Sequence, residues 1–432
     1  MKENLVWKKE EKIIKKRFTR KVDIKIIGMS DVHGRVLPWN YAADEEDNSG
    51  SYAQISTYVK KLRKNNKNVL LMEVGDAIQD NWIEYFANDK RHPIPQILNY
   101  MKCDIFVPGN HEFNFGMPIL TNILKDMKAK KLLANLFYND KNKNNFNLSK
   151  DKKRYLDATT IIEEDGVKIG IIGLSTPMSQ KFEEDTGFLK DFHFVPAISE
   201  TKEQIKDLKK RGANAIVVVA HMGIDNENSI AETGVRDLAN AVPEIDVILA
   251  GHMHQNVSKN IINGVLITEP HRYGTVVSEI DLFFEKKLWN GNQTKGNKNE
   301  DDRKELETRS EELKEKLSEY VFIEKVLPLD KKLKKIAQTI FDIAKKIKIS
   351  SKRLTHNDIL VYTYEFIFNK DLKFVENDRV TEEFLELIGG KIDTIMIDEF
   401  QDTSILQWKI LKLLMNTSEN IICVGDEKQS IY

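Results

Sequence analysis

The chain has 432 residues, of which 41% are hydrophobic and 31% are charged. This length exceeds the usual size of one hydrophobic core, so we expect at least two domains. The proportions exclude a disordered chain and a membrane-spanning protein. The chain has 66 basic and 67 acidic residues, so its net charge is close to zero. It therefore has no net electrostatic field that would attract nucleic acid or an anionic membrane.

Two features of the sequence bear on the cellular compartment. Cys103 and Cys423 lie in different segments, which indicates neither a disulfide framework nor a cysteine metal site. Residues 1–22 form a basic leader without the apolar run of a signal peptide, and no later stretch is long enough to cross a bilayer. We therefore expect a cytoplasmic protein that does not associate with membranes.

Residues 23–287 alternate short β-branched runs with amphipathic polar stretches, a pattern typical of an α/β domain. Helices are predicted at Ser51 to Lys64 and at Met117 to Lys130. Most of the apolar runs are continuous enough for strands that are buried on both faces. In chain order these runs are IKIIGMS, VLLMEVG, DIFVPG, KIGIIGLS, AIVVVA, DVILAG, GVLIT and VVSEIDLFF.

The composition changes abruptly after this domain. Residues 288–319 are first rich in Gly and Asn and then densely charged, and we interpret them as a linker. Residues 320–432 have a mainly helical pattern with two apolar runs, DTIMID and NIICVGD, which predict buried parallel strands.

Polar side chains follow five of the predicted strands directly. Because ligands bind beyond the carboxyl ends of strands in open α/β sheets, we expect these side chains to converge. Imidazole, carboxylate and amide oxygen suit Mn, Fe or Zn, and so large a set exceeds the needs of one ion. Two ions can clamp a phosphoryl group, with a bridging hydroxide as nucleophile and one shared carboxylate. The residues are Asp31, His33, Asp76, Asn110, His111, His221, His252 and His254.

The motifs DVHG, GD, GNHE, a lone His after a strand, and GHMH resemble the calcineurin-like metallophosphoesterases in kind and in order. The resemblance implies a four-layer sandwich of two mixed β-sheets flanked by helices, and two divalent ions of the set Mn, Zn, Fe or Mg. It also implies His111 as the group that contacts phosphate and acts as general acid. The implied ligands are Asp31, His33, Asp76 and His254 for one ion, and Asp76, Asn110, His221 and His252 for the other.

Longer sequence motifs indicate one group within this family. GNHEFNFG, HPIPQILNYM, GDAIQ and LITEPHRYG are similar to the 5′-nucleotidase and 2′,3′-cyclic-nucleotide 2′-phosphodiesterase group. The residue three after His111 is Asn114, as in the cyclic phosphodiesterase branch, where nucleotidases often have Asp. Asn114 can orient His111 by a hydrogen bond but supplies no charge. Relatives also carry a C-terminal base-stacking domain, and nothing after Glu285 resembles one, so the exact phosphoester stays open.

The remaining histidines have ordinary interpretations. We expect His92, His193 and His356 to be structural, while His271 either lines the substrate cleft or is a loop residue.

The C-terminal segment, residues 320–432, carries a second set of motifs. DTIMIDEFQDTSILQWKIL and NIICVGDEKQSIY resemble two ATPase motifs of UvrD-like helicases, most closely the ATP-dependent helicase/nuclease enzymes of double-strand-break repair. The resemblance implies that Asp398 lies near a magnesium ion and that Glu399 polarises the attacking water. The other residues that it assigns to these motifs are Gln401, Asp402, Gly425, Asp426 and Gln429.

A P-loop is missing from this sequence. Gly291 and Gly296 have the required separation, but Asn297 stands where the motif needs Lys. We therefore expect an incomplete, inactive ATPase fragment fused to the phosphoesterase, with neither ATP nor nucleic acid as a partner.

The sequence thus predicts a divalent-metal phosphoester hydrolase that acts on nucleotides or other small phosphoesters. The alternative is a DNA-repair or helicase-associated module in which the C-terminal segment binds helicase partners or nucleic acid. The sequence leaves the metal and the oligomeric state open.

Overall fold

The computed structural model describes residues 18–40, 45–81, 83–139, 146–288, 311–322, 333, 335–336, 338–339, 342–343, 346, 356–377, 379–397, 405–418 and 420–424. The chain forms two units, each treated by itself: unit 1 (Met1–Pro38 and Asn48–Ala337) and unit 2 (Trp39–Asp47 and Gln338–Tyr432). Within the described ranges, no helix combines the length and the apolar character needed to cross a membrane.

Strands and helices alternate along the chain. The strands are β1 Phe18–Met29, β2 Trp39–Asn40, β3 Glu45–Glu46, β4 Val69–Glu73, β5 Ile105–Phe106, β6 Lys130–Lys131, β7 Leu136–Tyr138, β8 Thr159–Glu164, β9 Val167–Ser175, β10 Phe192–Phe194, β11 Ala215–His221, β12 Val247–Leu249, β13 Val257–Ile262, β14 Val265–Glu269, β15 Val276–Leu288, β16 Glu311–Phe322, β17 Val375–Glu376, β18 Arg379–Val380, β19 Thr394–Ile397 and β20 Asn420–Cys423. The helices are α1 Tyr52–Asn65, α2 Pro93–Met101, α3 Met117–Lys125, α4 Ser179–Phe182, α5 Ala197–Lys210, α6 Val235–Ala241, α7 His356–Ile367, α8 Glu382–Leu387 and α9 Ile405–Met415. Short 3-10 turns cover Ile83–Phe86, His111–Phe113, Glu227–Ser229 and Arg272–Gly274.

Unit 1 contains two sheets of six strands each, in the orders β16-β15-β1-β4-β5-β6 and β13-β14-β12-β11-β9-β8. Both sheets are mixed. In the first, β1 runs parallel to β4 and antiparallel to β15, and in the second, β9 runs parallel to β11 and antiparallel to β8. The predicted α/β domain with two mixed sheets is therefore confirmed for this unit.

The two sheets pack face to face through one apolar core. Ile26 and Met72 of the first sheet share a buried cluster with Val217, Leu249 and Leu266 of the second. This packing is close, because a Cβ atom on Gly28 would lie 2.6 Å from Leu249 Cδ2. Burying apolar surface in this way stabilises the folded state by roughly 25 cal/mol per Å².

Helices cover the outer face of the second sheet. Ile205 and Leu208 of α5 and Leu238 of α6 share a second buried cluster with Val218 and Ile248. The predicted helices Ser51 to Lys64 and Met117 to Lys130 correspond to α1 and α3, and α3 ends earlier, at Lys125. At the start of α1, the Ser51 side chain accepts a hydrogen bond from the Gln54 N–H, an N-cap that fixes where the helix begins.

Two segments differ from the predicted boundaries. Residues 18–22, taken as the end of the leader, are the first residues of β1, because they pair with β15 in a register that begins at Phe18 and Leu288. Residues 311–322, of which 311–319 were assigned to the linker, form β16 along the other side of β15. Backbone pairing sets both strands, and a charged strand at a sheet edge also discourages association with other chains.

In unit 2, the described residues form a small helical cluster and three pairs of short strands. Ile367, Phe384 and Leu413 are buried together, so α7, α8 and α9 share a core. The two predicted strands exist and pair in parallel as β19 and β20. The prediction that both are buried is wrong, since every residue of β20 is exposed and Met396 of β19 is 74% exposed. A sheet of only two strands has too little surface to bury both of its faces.

Candidate metal centre

The side chains predicted to bind metal lie beyond the carboxyl ends of strands in both sheets of unit 1. Asp31 and His33 follow β1, and Asp76 follows β4. His221 is the last residue of β11 in the second sheet. Asn110 and His111 follow β5, and His252 and His254 follow β12. Parallel neighbours end at the same edge of a sheet, so the face-to-face packing of the sheets brings both edges together.

A first group consists of Asp31, His33 and His254, whose ligand atoms lie within 4.8 Å of one another. His33 Nε2 is 3.2 Å from His254 Nε2, and His254 Nε2 is 3.4 Å from Asp31 Oδ1. Asp31 and His33 are buried. Two imidazole nitrogens and a carboxylate oxygen at these separations can all reach one cation.

A second group consists of Asp76, His221 and His252, again with ligand atoms within 4.8 Å. His221 Nε2 lies 3.0 Å from Asp76 Oδ2 and 3.2 Å from Asn110 Oδ1. His221 Nδ1 lies 3.0 Å from the Val74 carbonyl oxygen, so this nitrogen carries a proton and Nε2 faces the group. Such an outer hydrogen bond is the usual way in which proteins fix a metal-binding imidazole.

Asp76 belongs to the second group and also faces the first. Its Oδ2 is 3.0 Å from His221 Nε2 in the second group and 4.0 Å from His33 Nε2 in the first. Its Oδ1 accepts a hydrogen bond of 2.9 Å from the His111 backbone N–H. This placement suits a carboxylate that two cations share.

The electrostatics of the centre favour positive charge. Burial alone would raise the pKa of Asp76, but His221 and His33 hold it well below its ordinary value. Burial would likewise lower the pKa of His221, but Asp76 and Asp31 raise it to about 10. The ionised carboxylates require a compensating charge inside a buried site, which divalent cations would supply. The donor set therefore fits metal.

The backbone is left-handed at five ligand residues, an arrangement that L-residues seldom adopt. The φ angles are 53° at Asp31, 49° at His33, 55° at Asp76, 82° at His252 and 55° at His254. Such conformations persist where the surroundings fix them, commonly at functional sites. The turns after three strands are thus shaped to direct side chains into one place.

Glu112 is a functional residue that the sequence analysis did not assign. Its carboxylate is fully buried and accepts backbone N–H bonds from Asp76 at 2.8 Å, Ala77 at 2.7 Å and Gly109 at 2.6 Å. Burial and the neighbouring Asp76 raise its pKa. Glu112 therefore ties the loop after β4 to the loop after β5. Its place in GNHE was the available signal.

His111 lies beside the ligand groups, with its ring centroid 5.4 Å from that of His33. Its Nδ1 is 2.7 Å from Asn114 Oδ1, so the predicted orienting hydrogen bond has the required geometry. This bond uses Nδ1 and leaves Nε2 as the ring atom for a substrate.

The other histidines belong to neither ligand group. His92 is the N-cap of α2, and its side chain accepts a hydrogen bond from the Ile94 N–H. His193 Nδ1 contacts Asn139 Oδ1 at 2.8 Å, His271 Nδ1 contacts Thr275 Oγ1 at 3.1 Å, and His356 begins α7.

The predicted ATPase residues of the C-terminal segment lie outside the described residues. They are Asp398, Glu399, Gln401, Asp402, Gly425, Asp426 and Gln429.

Comparison with known proteins agrees with this fold. The crystal structure of the calcineurin-like phosphoesterase YfkN from Bacillus subtilis superposes with a TM-score of 0.62 at 24% identity, covering 75% of this chain and 98% of that chain. Unit 1 therefore has the fold of the calcineurin-like phosphoesterases.

Two sequence relatives carry names of nucleotide phosphoesterases. The trifunctional nucleotide phosphoesterase protein YfkN of Bacillus subtilis is 30% identical over 300 residues, which are 61% of this chain and 20% of that protein. The 2′,3′-cyclic-nucleotide 2′-phosphodiesterase/3′-nucleotidase of Salmonella typhimurium is 28% identical over 287 residues, which are 60% of this chain and 43% of that protein. The chain thus spans less than half the length of each of these relatives.

A family match extends to the C-terminal segment. Residues 119–432 match the UvrD/REP helicase N-terminal domain, and by this match the chain belongs to the UvrD-helicase family. The matched range includes β6 to β15 of the phosphoesterase fold. A separate helicase fragment that begins near residue 320 therefore stays a prediction.

Proposed function

We propose that the chain hydrolyses phosphoesters of nucleotides with two divalent metal ions, and that 2′,3′-cyclic nucleotides are its preferred substrates. One observation carries this proposal: two adjacent groups of ligand atoms flank Asp76, and His111 lies at their side. A pair of ions at such a site can stabilise both the attacking and the leaving oxygen of an in-line displacement at phosphorus.

Seven side chains would hold the ions. Asp31, His33, Asp76 and His254 suit one, while Asp76, Asn110, His221 and His252 suit the other. When bound, the pair would polarise the phosphoryl oxygens and activate water as the nucleophile. The donor set suits Mn, Zn, Fe or Mg, and the ion in use follows from availability.

His111 would give a proton to the leaving oxygen. Its backbone N–H is fixed by Asp76 and its Nδ1 by Asn114, so both the main chain and the ring are held in place. A positioned general acid of this kind contributes roughly 10² to 10⁴ in rate.

The substrate class rests on the relatives and on one aromatic side chain. Phe182 is 42% exposed, and its ring centroid lies 6.2 Å from that of His252. An exposed ring beside the metal centre offers a face for the base of a nucleotide.

The test compares hydrolysis of 2′,3′-cyclic AMP, AMP and bis-p-nitrophenyl phosphate by the full chain with Mn. We expect Asp76→Asn to reduce turnover to the level of EDTA-treated protein, because it removes the shared carboxylate. We expect His111→Ala to lower turnover of the nucleotides by about a hundredfold or more. The control is His193→Ala, which alters a histidine that contacts Asn139 and belongs to neither ligand group, and it should leave rates unchanged. Near-wild-type rates in both site variants would refute the proposal.

The second candidate is a DNA-repair or helicase-associated module, which the UvrD/REP match favours. Binding of the full chain to single-stranded DNA or to a helicase partner tests it. No binding to either would remove this candidate.

A further inference from the structure

We infer that Glu183 is a positioning residue that acts on His111 through Asn114. This inference rests on the proposed function of His111 as the general acid. The inference adds a carboxylate to the pair His111 and Asn114, in which Asn114 itself supplies no charge.

The three side chains are joined by hydrogen bonds. His111 Nδ1 lies 2.7 Å from Asn114 Oδ1, and Asn114 Nδ2 donates to Glu183 Oε1 at 2.5 Å. The second carboxylate oxygen, Oε2, accepts from Thr186 Oγ1 at 2.6 Å. Glu183 is only 2% exposed, so this carboxylate is removed from water while keeping a partner on each oxygen.

The carboxylate determines which way Asn114 faces. Glu183 Oε1 accepts a hydrogen bond from Asn114, so Asn114 turns its NH₂ group toward Glu183. Its carbonyl oxygen then faces His111 and accepts the bond that Nδ1 donates. Without Glu183, the amide of Asn114 can rotate and present NH₂ to the ring.

This orientation selects the proton positions on His111. The Nδ1–H form leaves Nε2 as the atom that binds and releases the catalytic proton. An acid with a fixed ring and a fixed tautomer is ready to protonate a leaving alkoxide.

Position supports a role of this kind. Glu183 caps α4, and its backbone N–H donates to the Ser179 carbonyl at 3.1 Å. Gly187 N–H donates back to the Glu183 carbonyl at 3.0 Å, so the residue is held on both sides by its own turn. It belongs to neither ligand group. Its hydrogen bonds lead toward the reaction through Asn114 and His111.

The experiment uses two substrates that differ in their need for an acid. The ribose leaving group of 2′,3′-cyclic AMP needs a proton, while the nitrophenolate of bis-p-nitrophenyl phosphate leaves without one. We expect Glu183→Ala to lower kcat for the cyclic nucleotide by at least about tenfold and kcat for the aryl ester by less than about threefold. Glu183→Gln, which keeps an acceptor for Asn114, should fall between. Glu184→Ala, at the exposed neighbouring position, is the control.

A double variant separates positioning from general damage. In a His111→Ala background, Glu183→Ala should have no further effect on either substrate. Equal losses on both substrates, or additive losses in the double variant, would overturn the inference.

Nitrogen-15 NMR of histidine-labelled protein reads the tautomer of His111 without any turnover. We expect the Nδ1–H form in the wild type and a mixture in Glu183→Ala. An unchanged tautomer in Glu183→Ala would overturn the inference. The two failures can be told apart. If the wild type hydrolyses neither substrate but the tautomer of His111 still differs between the wild type and Glu183→Ala, the proposed function is overturned and the positioning role of Glu183 is supported.

Discussion

The left-handed backbone at five ligand residues carries a steric cost of about 1–3 kcal/mol for each non-glycine residue. Hydrogen bonds between neighbouring loops hold it in place. Asp31 N–H donates to the Gly75 carbonyl at 3.0 Å, and His33 N–H donates to the Asp76 carbonyl at 2.9 Å. The loop after β1 is therefore fixed by the loop after β4.

Gly109 tests how closely the ligands pack. A Cβ atom at this position would lie 2.2 Å from Asp76 Oδ1 and 2.7 Å from His221 Nε2. We expect Gly109→Ala to displace both ligands and to weaken Mn binding by at least about tenfold, as measured by calorimetry. The control is Gly264→Ala, because Gly264 has a φ of 82° but nothing within 4 Å of its Cβ position. That variant should lose about 1 kcal/mol of stability and keep its metal affinity.

At the scale of single residues, the sequence identified those whose residue type and position after a strand indicate a function. The ligand residues follow apolar strands, so their convergence could be predicted. The chain separates Asn114 from Glu183 by 69 positions, and no local pattern connects them. Glu112 was missed for a different reason: the GNHE motif marks its position, but its partners are backbone amides, which no side-chain pattern identifies.

At the scale of the element, long apolar runs were the dependable signal. Each of the eight runs between residues 24 and 284 contains a strand, because continuous β-branched residues fit a sheet that is covered on both faces. The strand β16 was missed because its sequence is densely charged. An edge strand is defined by backbone pairing with one neighbour, which hydrophobic patterning does not report.

His92 gives α2 a pH-dependent start. Burial lowers the pKa of His92 to about 4, and its Nδ1 accepts the Ile94 N–H only when it is unprotonated. The ordinary pKa of histidine is about 6.5, so the unfolded chain takes up a proton first on acidification. The stabilisation is complete above about pH 6.5 and is lost as the pH falls toward about 4.

We expect the free energy of unfolding to fall by about 2 kcal/mol more in the wild type than in His92→Asn between about pH 7 and about pH 5. Asparagine keeps the N-cap hydrogen bond but does not titrate. Urea unfolding at the two pH values measures the difference. The same pH dependence in both proteins would contradict this account.

At the scale of the whole molecule, the chain divides into unit 1, which has the phosphoesterase fold, and unit 2. The two sheets of unit 1 enclose one core, and every ligand group lies at their shared edge. The composition changes abruptly near residue 288, whereas the two units divide between Ala337 and Gln338. Composition could not show that residues 311–322 pair with β15, since pairing depends on which edge is available.

The C-terminal segment should not hydrolyse ATP in this chain, because a P-loop is absent from the sequence. The phosphoesterase centre could itself cleave ATP, so the assay belongs in the Asp76→Asn variant. We expect no release of phosphate from Mg-ATP there, with or without single-stranded DNA. Turnover that persists in Asp76→Asn and disappears in the double variant Asp76→Asn, Asp398→Asn would show an active ATPase.

The Glu112 carboxylate has a consequence for local motion. Because one side chain accepts the amide protons of Asp76, Ala77, Ile78 and Gly109, neither loop can open without breaking the bonds of the other. Native-state deuterium exchange should therefore show these four amides opening as a single cooperative unit with one shared free energy. In Glu112→Gln the protection factors of the four amides should differ from one another, because the loop after β4 and the loop after β5 would then open independently.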